Sequence, residues 1–301
     1  IDMARTVAIG LQSFEEIIEN NYFYIDKTNI IKEWWESGDA VTLITRPRRF
    51  GKTLNMSMLE CFFSNQYAGR GDLFEGLSIW EEEKYRQLQG TYPVIFVSFA
   101  SIKDKSFEDA KFSMVELFLD LYKRYPYVET DEMLVQAKKT VIRQVGEGKP
   151  ITVENTVLTH AMNGLASKLY EHFGKKVLIL LDEYDTPMQE AWLGGYWDDI
   201  VDLFRNMFND TLKTNPYLYR AVLTGITRIS KESIFSDLNH LKVVTVSSDL
   251  YADCFGFTQE EVSDALDEYG LSEQKDAVKE WYDGFTFGKH TDIYNPWSII
   301  N

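Results

Sequence analysis

The residues best suited to bind phosphate lie in the segment TRPRRFGKT, at positions 45–53. It ends in Gly51, Lys52 and Thr53, the last three residues of the phosphate-binding pattern G-x-x-x-x-G-K-[S/T]. In such a loop, backbone N–H groups and a helix N-terminus receive an anion, the lysine neutralises it and the threonine hydroxyl reaches a metal ion. Arg46 stands where the pattern has its first glycine, so this segment alone fits a strand-to-helix turn with a solvated lysine equally well.

A pair of acidic residues supplies the second motif that a nucleotide site needs. Asp182 and Glu183 directly follow the run Val177–Leu181, whose continuous aliphatic composition is typical of a fully buried parallel strand. A phosphate-binding loop binds a magnesium nucleotide, and a carboxylate at the end of a neighbouring buried strand holds the metal, often through water. The pair alone could mark a strand that ends at a polar surface, but with the loop it favours a Mg²⁺-nucleotide site.

The charges of these residues indicate a role for each. Lys52 would contact the β- and γ-phosphates, while Thr53 and Asp182 would hold Mg²⁺. Glu183 would act as general base or position the water that attacks the γ-phosphate. ATP and Mg²⁺ are therefore the expected cofactors.

Further residues near the two motifs could assist. Thr224 could sense the γ-phosphate or be an ordinary strand threonine, and Arg228 could neutralise transition-state charge or be a surface arginine. Asp185 is a weaker second carboxylate. The residues expected to contact the nucleotide are Arg48, Arg49, Phe50, Gly51, Lys52, Thr53, Leu54 and Thr224, and those expected to act in catalysis are Glu183, Lys52 and Arg228.

The elements that must position these residues alternate between strand and helix. Apolar runs with strand character cover Val41–Ile44, Tyr92–Ala100, Val177–Leu181, Tyr219–Thr227 and Val243–Val246. Helical periodicity covers Leu54–Phe63, Ser106–Tyr125 and Val157–Phe173. Strands separated by helical segments predict βαβ units and an α/β fold with a parallel sheet.

The last part of the chain changes to a helical pattern. We expect a core over residues 1–250, with residues 1–40 leading into the loop, and a helical lid over residues 251–301. Thr258 and Glu261 predict a capping box that opens one helix of the lid. Asn295 and Pro296 predict the start of another helix, which suggests that the natural protein continues beyond residue 301.

Composition limits the classes of partner. A formal net charge of −16 argues against a broad nucleic-acid-binding face, so Arg46, Arg48, Arg49 and Lys52 predict a local positive spot suited to a polyphosphate. The 2 cysteines form no CxxC unit, and no apolar run reaches the roughly 18 residues of a membrane span. We expect a cytoplasmic protein without membrane contact, and oligomerisation stays open.

Several motifs together resemble the bacterial AAA-ATPase-like domain proteins. They are YIDKT, TRPRRFGKT, LILLDEYDTP, LTGITRIS, FGFTQEEV and WYDGF, and the resemblance covers nearly the whole chain. Members of that family usually carry arginine at the position of Arg46. The resemblance implies a three-layer αβα P-loop ATPase core with strand order 5-1-4-3-2 and a C-terminal helical lid. In many members a PD-(D/E)XK nuclease-like domain follows the lid, but these residues contain no matching nuclease motif.

Four functions remain open from the sequence. The chain could be an ATPase whose hydrolysis switches a fused or separate effector, for which a nuclease is one candidate. It could instead be a nucleotide-binding regulatory switch with little turnover, or less readily a P-loop kinase or a nucleic-acid translocase. The loop also makes a structural prediction, because a non-glycine residue seldom tolerates positive φ: Arg46 should have ordinary backbone angles.

Overall fold

A computed structural model describes residues 5–227, 234–282 and 284–300 of the chain. It is an α/β fold built on a five-stranded, all-parallel sheet in the order β2-β3-β4-β1-β5. Read from the other edge, this is the expected order 5-1-4-3-2, so the predicted fold class is confirmed. The strands are β1 (Val41–Thr45), β2 (Val94–Ser98), β3 (Val177–Asp182), β4 (Leu218–Gly225) and β5 (Leu241–Val244).

The strand β3 is the best buried element of the sheet. Every residue from Val177 to Asp182 is buried, as expected for a strand with neighbours on both sides and helices on both faces. In the parallel register, Ile179 pairs with Ile95 of β2 and with Ala221 of β4. The continuous aliphatic run in the sequence therefore forms the strand that it predicts.

The helices lie before, between and after the strands. They are α1 (Phe14–Glu19), α2 (Asn29–Ser37), α3 (Lys52–Phe63), α4 (Glu83–Leu88), α5 (Phe107–Lys123), α6 (Glu132–Gly146), α7 (Asn155–Thr159), α8 (Ala161–Phe173), α9 (Thr186–Gly194), α10 (Trp197–Phe208), α11 (Gln259–Glu268), α12 (Lys275–Trp281) and α13 (Pro296–Ile300). Short 3-10 turns cover Asn65–Tyr67, Gly71–Phe74, Ser78–Glu81 and Ser272–Gln274, and a π-helical turn covers Asn209–Lys213. Among the described residues, none of these helices is both long enough and apolar enough to span a bilayer.

The chain divides into two compact units. The first contains Ile1–Gly38, Ile44–Thr91 and Val243–Asn301, and the second contains Asp39–Leu43 and Tyr92–Lys242. The segment TRPRRFGKT thus belongs to the same unit as the C-terminal residues, whereas the acidic pair belongs to the other unit. The expected boundary at residue 250 between core and lid stays a prediction.

The C-terminal segment mixes expected and unexpected elements. The capping box of Thr258 and Glu261 is present at the start of α11, and Oδ1 of Asn295 accepts a 3.0 Å hydrogen bond from the N–H of Trp297 in α13. Both predicted helix starts are therefore confirmed. The segment also contains an antiparallel hairpin, β6 (Phe285–Phe287) and β7 (His290–Ile293), where we expected only helices.

Asp26 lies just before α2 and fixes the start of that helix within the first unit. One of its carboxylate oxygens accepts hydrogen bonds from the N–H and hydroxyl of Thr28, the residue that precedes α2. Its other oxygen accepts a 2.7 Å bond from the N–H of Ser78. The carboxylate therefore joins the chain before α2 to the turn Ser78–Glu81.

Candidate functional site

The backbone of the loop is shaped for an anion at the start of α3. The strand β1 ends at Thr45, and α3 begins at Lys52 directly after Gly51, which has a φ of 82°. The left-handed conformation suits glycine, and a glycine has no side chain that could occupy the N-terminus of the helix. This arrangement directs backbone N–H groups and the positive end of the helix dipole to the loop.

Arg46 has the ordinary backbone angles that its place in the pattern predicts. Non-glycine residues with positive φ in the described chain include Arg49, at 68°, but Arg46 is not one of them. The prediction from the missing glycine is confirmed. The left-handed turn of the loop instead falls on Arg49 and Gly51, three and five residues later.

Lys52 is buried and lies over the loop. Its side chain is bonded to two loop carbonyl groups, with Nζ 3.0 Å from the oxygen of Arg46 and 2.7 Å from that of Pro47. The residue is only 7% exposed, so the alternative of a solvated lysine on a plain turn is wrong. The ammonium group is held inside the loop, where a polyphosphate would need it.

The positive spot predicted from four basic residues lies only in part on the surface of the protein. Arg46 is fully buried, which removes its guanidinium from any exposed cluster, while Arg48 and Arg49 are exposed. The guanidinium of Arg49 lies 4.7 Å from the ring centre of Trp297. The exposed charge of the loop therefore comes from Arg48 and Arg49. The prediction that Arg46 belongs to the positive spot is wrong, because the burial of this residue depends on residues far along the chain.

The hydrophobic residues of the loop face different surroundings. Phe50 is buried, with its ring centre 5.0 Å from that of Phe285 and 5.3 Å from that of Phe287. Leu54 and Thr53 are partly exposed on the first turn of α3. A contact between Phe50 and a nucleotide would thus fall to its backbone, while Thr53 remains partly exposed.

In the second unit, Asp182 and Thr224 lie side by side at the ends of β3 and β4. The hydroxyl of Thr224 donates a 2.6 Å hydrogen bond to Oδ1 of Asp182, and both side chains are buried. A carboxylate held in this way keeps a fixed orientation, as the ligands of metal ions usually do. Thr224 thus has a partner that its spacing in the sequence did not indicate.

Glu183 has an unusual backbone conformation for its residue type. Its φ is 50°, and its Oε2 accepts a 3.0 Å hydrogen bond from the hydroxyl of Thr186 in α9. A non-glycine residue in the left-handed region is strained, and such strain is concentrated at functional sites. The residue is partly exposed to solvent.

Asp185, the weaker second carboxylate, anchors the end of β4 through one of its oxygens. Its Oδ2 accepts hydrogen bonds from the N–H of Ile226 at 3.0 Å, the N–H of Thr227 at 2.9 Å and the Thr227 hydroxyl at 3.0 Å. The hydroxyl of Tyr184 donates a 2.7 Å bond to the carbonyl of Thr227. Asp185 precedes Thr186 and Pro187, so sequence spacing would make it a helix cap rather than an anchor for the end of β4.

Not every predicted residue can be placed. Arg228, the predicted transition-state arginine, lies outside the described residues. Of the others, the loop residues from Arg48 to Leu54 lie together in the first unit, and Asp182, Glu183 and Thr224 lie together in the second.

The fold and the two motifs define the class of P-loop-like α/β proteins: a parallel sheet, a Gly-Lys-Thr loop after β1 and an Asp-Glu pair at the end of β3. Comparison with known families agrees. The family model described as "AAA-ATPase_like: Predicted AAA-ATPase" matches residues 8–235, and the chain belongs to this family.

A relative among the curated proteins is similar along nearly the whole chain. It is the "Uncharacterized protein in vnfD 5′ region" of Azotobacter chroococcum mcd 1, which is 27% identical over 299 residues. The match covers 98% of this chain but 51% of the relative, so the chain spans about half the length of the curated protein it matches.

Proposed function

We propose that the chain is an ATP-binding P-loop ATPase module that hydrolyses ATP with Mg²⁺. Its membership of a family of predicted AAA-ATPases supports nucleotide binding. The observation that carries the proposal is the buried Lys52, whose ammonium group contacts the carbonyls of Arg46 and Pro47 at the start of α3. A buried cation beside a helix N-terminus is suited to the phosphates of a nucleotide.

The residues of the loop would bind the nucleotide. Lys52 would leave the loop carbonyls for the β- and γ-phosphates, and the N–H groups of Phe50, Gly51 and Lys52 would donate to phosphate oxygens. The exposed guanidinium groups of Arg48 and Arg49 would add positive charge at the rim. Leu54, partly exposed on the first turn of α3, would contact the nucleotide beside Thr53.

Thr53 and Asp182 are suitable ligands for Mg²⁺. A hydroxyl and a carboxylate are hard oxygen donors, which this ion prefers, and Asp182 is held in one orientation by Thr224. The ion would neutralise charge on the β- and γ-phosphates. Thr224 would then act on the nucleotide through the Asp182 carboxylate that it holds.

Glu183 would prepare water for attack on the γ-phosphate. The residue is partly exposed, and the turn that carries it is fixed by its neighbours Tyr184 and Asp185 through their bonds to Thr227. We propose that it accepts a hydrogen bond from the water and orients it, as a general base or positioning group. Arg228 would neutralise charge in the transition state.

The biological output would be the switching of an effector, either fused to this module or separate from it. The relative is about twice as long as the matched region, which supports a further domain in proteins of this kind. A nuclease is the candidate that the family resemblance suggests. A nucleotide-binding regulatory switch with little turnover is the second candidate.

Hydrolysis assays separate these functions. We expect repeated release of phosphate from Mg-ATP by the wild type, with retained ATP binding and lost hydrolysis in Glu183→Gln. Binding of one nucleotide without repeated turnover would favour the slow switch instead. Phosphate release that falls when small acceptors are added would favour a kinase, and stimulation by DNA would favour a translocase.

A further inference from the structure

Arg46 is connected at both ends, to the phosphate loop and to the C-terminal part of the same unit. Its backbone carbonyl accepts the 3.0 Å hydrogen bond from Nζ of Lys52. Its guanidinium group donates to the carbonyl of Leu250 at 3.4 Å and to that of Tyr251 at 3.3 Å. One residue therefore touches both the lysine expected to meet the phosphates and the chain that leads to the C-terminus.

Aromatic rings complete the surroundings of the Arg46 side chain. Its guanidinium carbon lies 5.4 Å from the ring centre of Phe255 and 4.9 Å from that of Phe287, within the range of cation–π attraction. In the part of the chain that the structure describes, its hydrogen bonds go to backbone carbonyls and no carboxylate forms an ion pair with it. Burial lowers the pKa of this guanidinium to about 10.

A buried arginine without a carboxylate is a poor choice for stability alone. Removing a charge from water is costly, and a well-packed apolar residue of similar volume is often at least as stabilising. The contacts of Arg46 with three backbone carbonyls and two rings offset only part of that cost. Its position thus calls for a role other than stability.

Neighbouring contacts tie the same two segments together. The N–H of Gly256 donates a 3.2 Å bond to the carbonyl of Phe50, and Nδ2 of Asn55 donates a 2.8 Å bond to the carbonyl of Cys254. Gly256 has a φ of 82°, and a Cβ there would lie 2.8 Å from the ring of Phe50. Residues 250–257, which we call the C-terminal strap, therefore lie directly against the phosphate loop.

We propose that Arg46 couples the occupancy of the phosphate loop to the C-terminal strap. The proposal rests on the proposed function, because it requires a nucleotide phosphate to draw Lys52 away from the Arg46 carbonyl. Loss of that charged donor removes one of the restraints on the Arg46 backbone, and its guanidinium then holds Tyr251 and Phe255 less firmly. Nucleotide binding would thereby loosen the strap, which leads into the C-terminal part of the first unit.

Thermodynamic linkage requires that the coupling between nucleotide binding and the strap also acts in the reverse direction. If nucleotide binding loosens the strap, then a strap that is already loose must favour nucleotide binding by the same factor. Arg46→Met removes the grip of the guanidinium, so it should bind ATP more tightly, by up to about tenfold for the loss of one ordinary hydrogen bond. A purely structural role for Arg46 predicts the opposite, namely weaker binding through a damaged loop.

Hydrogen exchange followed by mass spectrometry tests the coupling directly. In the wild type, we expect amides of the strap to exchange about tenfold faster when a non-hydrolysable ATP analogue is bound with Mg²⁺. In Arg46→Met the strap should exchange rapidly with or without the analogue. Phe287→Leu, which removes one of the two rings and leaves the charge of the loop intact, should show a smaller response than the wild type.

A matched control and a separate binding measurement make each outcome decisive. Arg86→Met, an arginine of the same unit that contacts Glu83 in α4, should respond to the analogue as the wild type does. Unchanged or slower exchange of the wild-type strap, or a wild-type response in Arg46→Met, would overturn the coupling. If calorimetric titration shows that the wild type does not bind the analogue, it is the proposed function that fails.

Discussion

The hydroxyl of Thr224 lies 2.6 Å from Oδ1 of Asp182, and this hydrogen bond joins the ends of two adjacent parallel strands. The carboxylate that would hold Mg²⁺ is therefore oriented by a residue of the neighbouring strand. Groups that orient metal ligands in this way typically affect metal affinity or activity by about 10- to 100-fold.

Thr224→Val tests this relationship, because valine has nearly the shape of threonine without its hydroxyl. We expect hydrolysis to fall by roughly 10- to 100-fold and the Mg²⁺ concentration for half-maximal activity to rise. Thr224→Ser retains the hydroxyl and should keep most of the activity. Equal activity of the valine and serine variants over a Mg²⁺ titration would show that the bond to Asp182 does not matter.

The positive φ of Glu183 predicts that activity and stability conflict at this residue. Glu183→Gly and Glu183→Ala both remove the carboxylate, so both should lose hydrolysis. Glycine accepts a φ of 50° without strain, whereas alanine does not. We expect the glycine variant to be more stable than the alanine variant by about 1 kcal/mol, measured by urea unfolding. Equal stability would mean that Glu183 stores no strain.

Gly225 provides a further test of the turn that carries the acidic residues. An added Cβ would lie 2.6 Å from the ring of Tyr184 and 2.8 Å from Oδ1 of Asp185. Gly225→Ala should therefore lower the free energy of unfolding by roughly 1–3 kcal/mol, the usual cost of overpacking a core.

The matched control for Gly225→Ala lies in α8. A Cβ at Gly164 would meet its nearest neighbours at 3.6 and 3.7 Å, which is ordinary contact. Because alanine also favours a helix, Gly164→Ala should be neutral or raise the free energy of unfolding by up to about 1 kcal/mol. Equal destabilisation by the two substitutions would contradict the tight packing around Tyr184 and Asp185.

The sequence predicts the sheet well because its signals are local. Val177–Leu181 has a continuous aliphatic composition that only a strand buried on both faces needs, and the structure forms β3 there. Boundaries at the sheet edge are less accurate: the strand expected at Val243–Val246 lies at Leu241–Val244. The hairpin of β6 and β7 was missed because its strands are short and follow a helical pattern, although Gly288 marks its turn.

The two motifs of the site were also recognisable from the sequence, whereas the partners of their residues were not. The burial of Arg46 depends on Phe255 and Phe287, more than 200 residues away. The bonds from residues 226 and 227 to Asp185 depend on the pairing of β3 with β4. Long-range contacts of this kind leave no periodic pattern in the sequence, so charge and spacing alone placed Arg46 in the predicted positive spot.

The two native cysteines allow the C-terminal strap to be followed by thiol labelling, with no cysteine added to the sequence. Both are free and buried, and burial raises the pKa of the Cys61 thiol to about 12 and that of Cys254 well above its ordinary value. Because the thiolate is the reactive form, the native protein at pH 8 should react slowly with a thiol reagent.

Loosening of the strap should expose one thiol and not the other. We expect Arg46→Met to speed the labelling of Cys254, which lies in the strap, and to leave Cys61 in α3 unchanged. Peptide mass spectrometry after timed labelling distinguishes the two sites. Parallel acceleration at both cysteines would indicate general unfolding, and no acceleration at Cys254 would contradict the grip of Arg46 on the strap.

The central claim is that the loop around Lys52 binds the phosphates of ATP, and equilibrium binding to Lys52→Ala tests it most directly. The control is Lys84→Ala, an exposed lysine of the same unit that pairs with Glu36 and Glu82 on the surface. Calorimetric titration with Mg-ATP should show wild-type affinity for Lys84→Ala and no measurable binding for Lys52→Ala. Unchanged affinity of a folded Lys52→Ala variant would contradict the account.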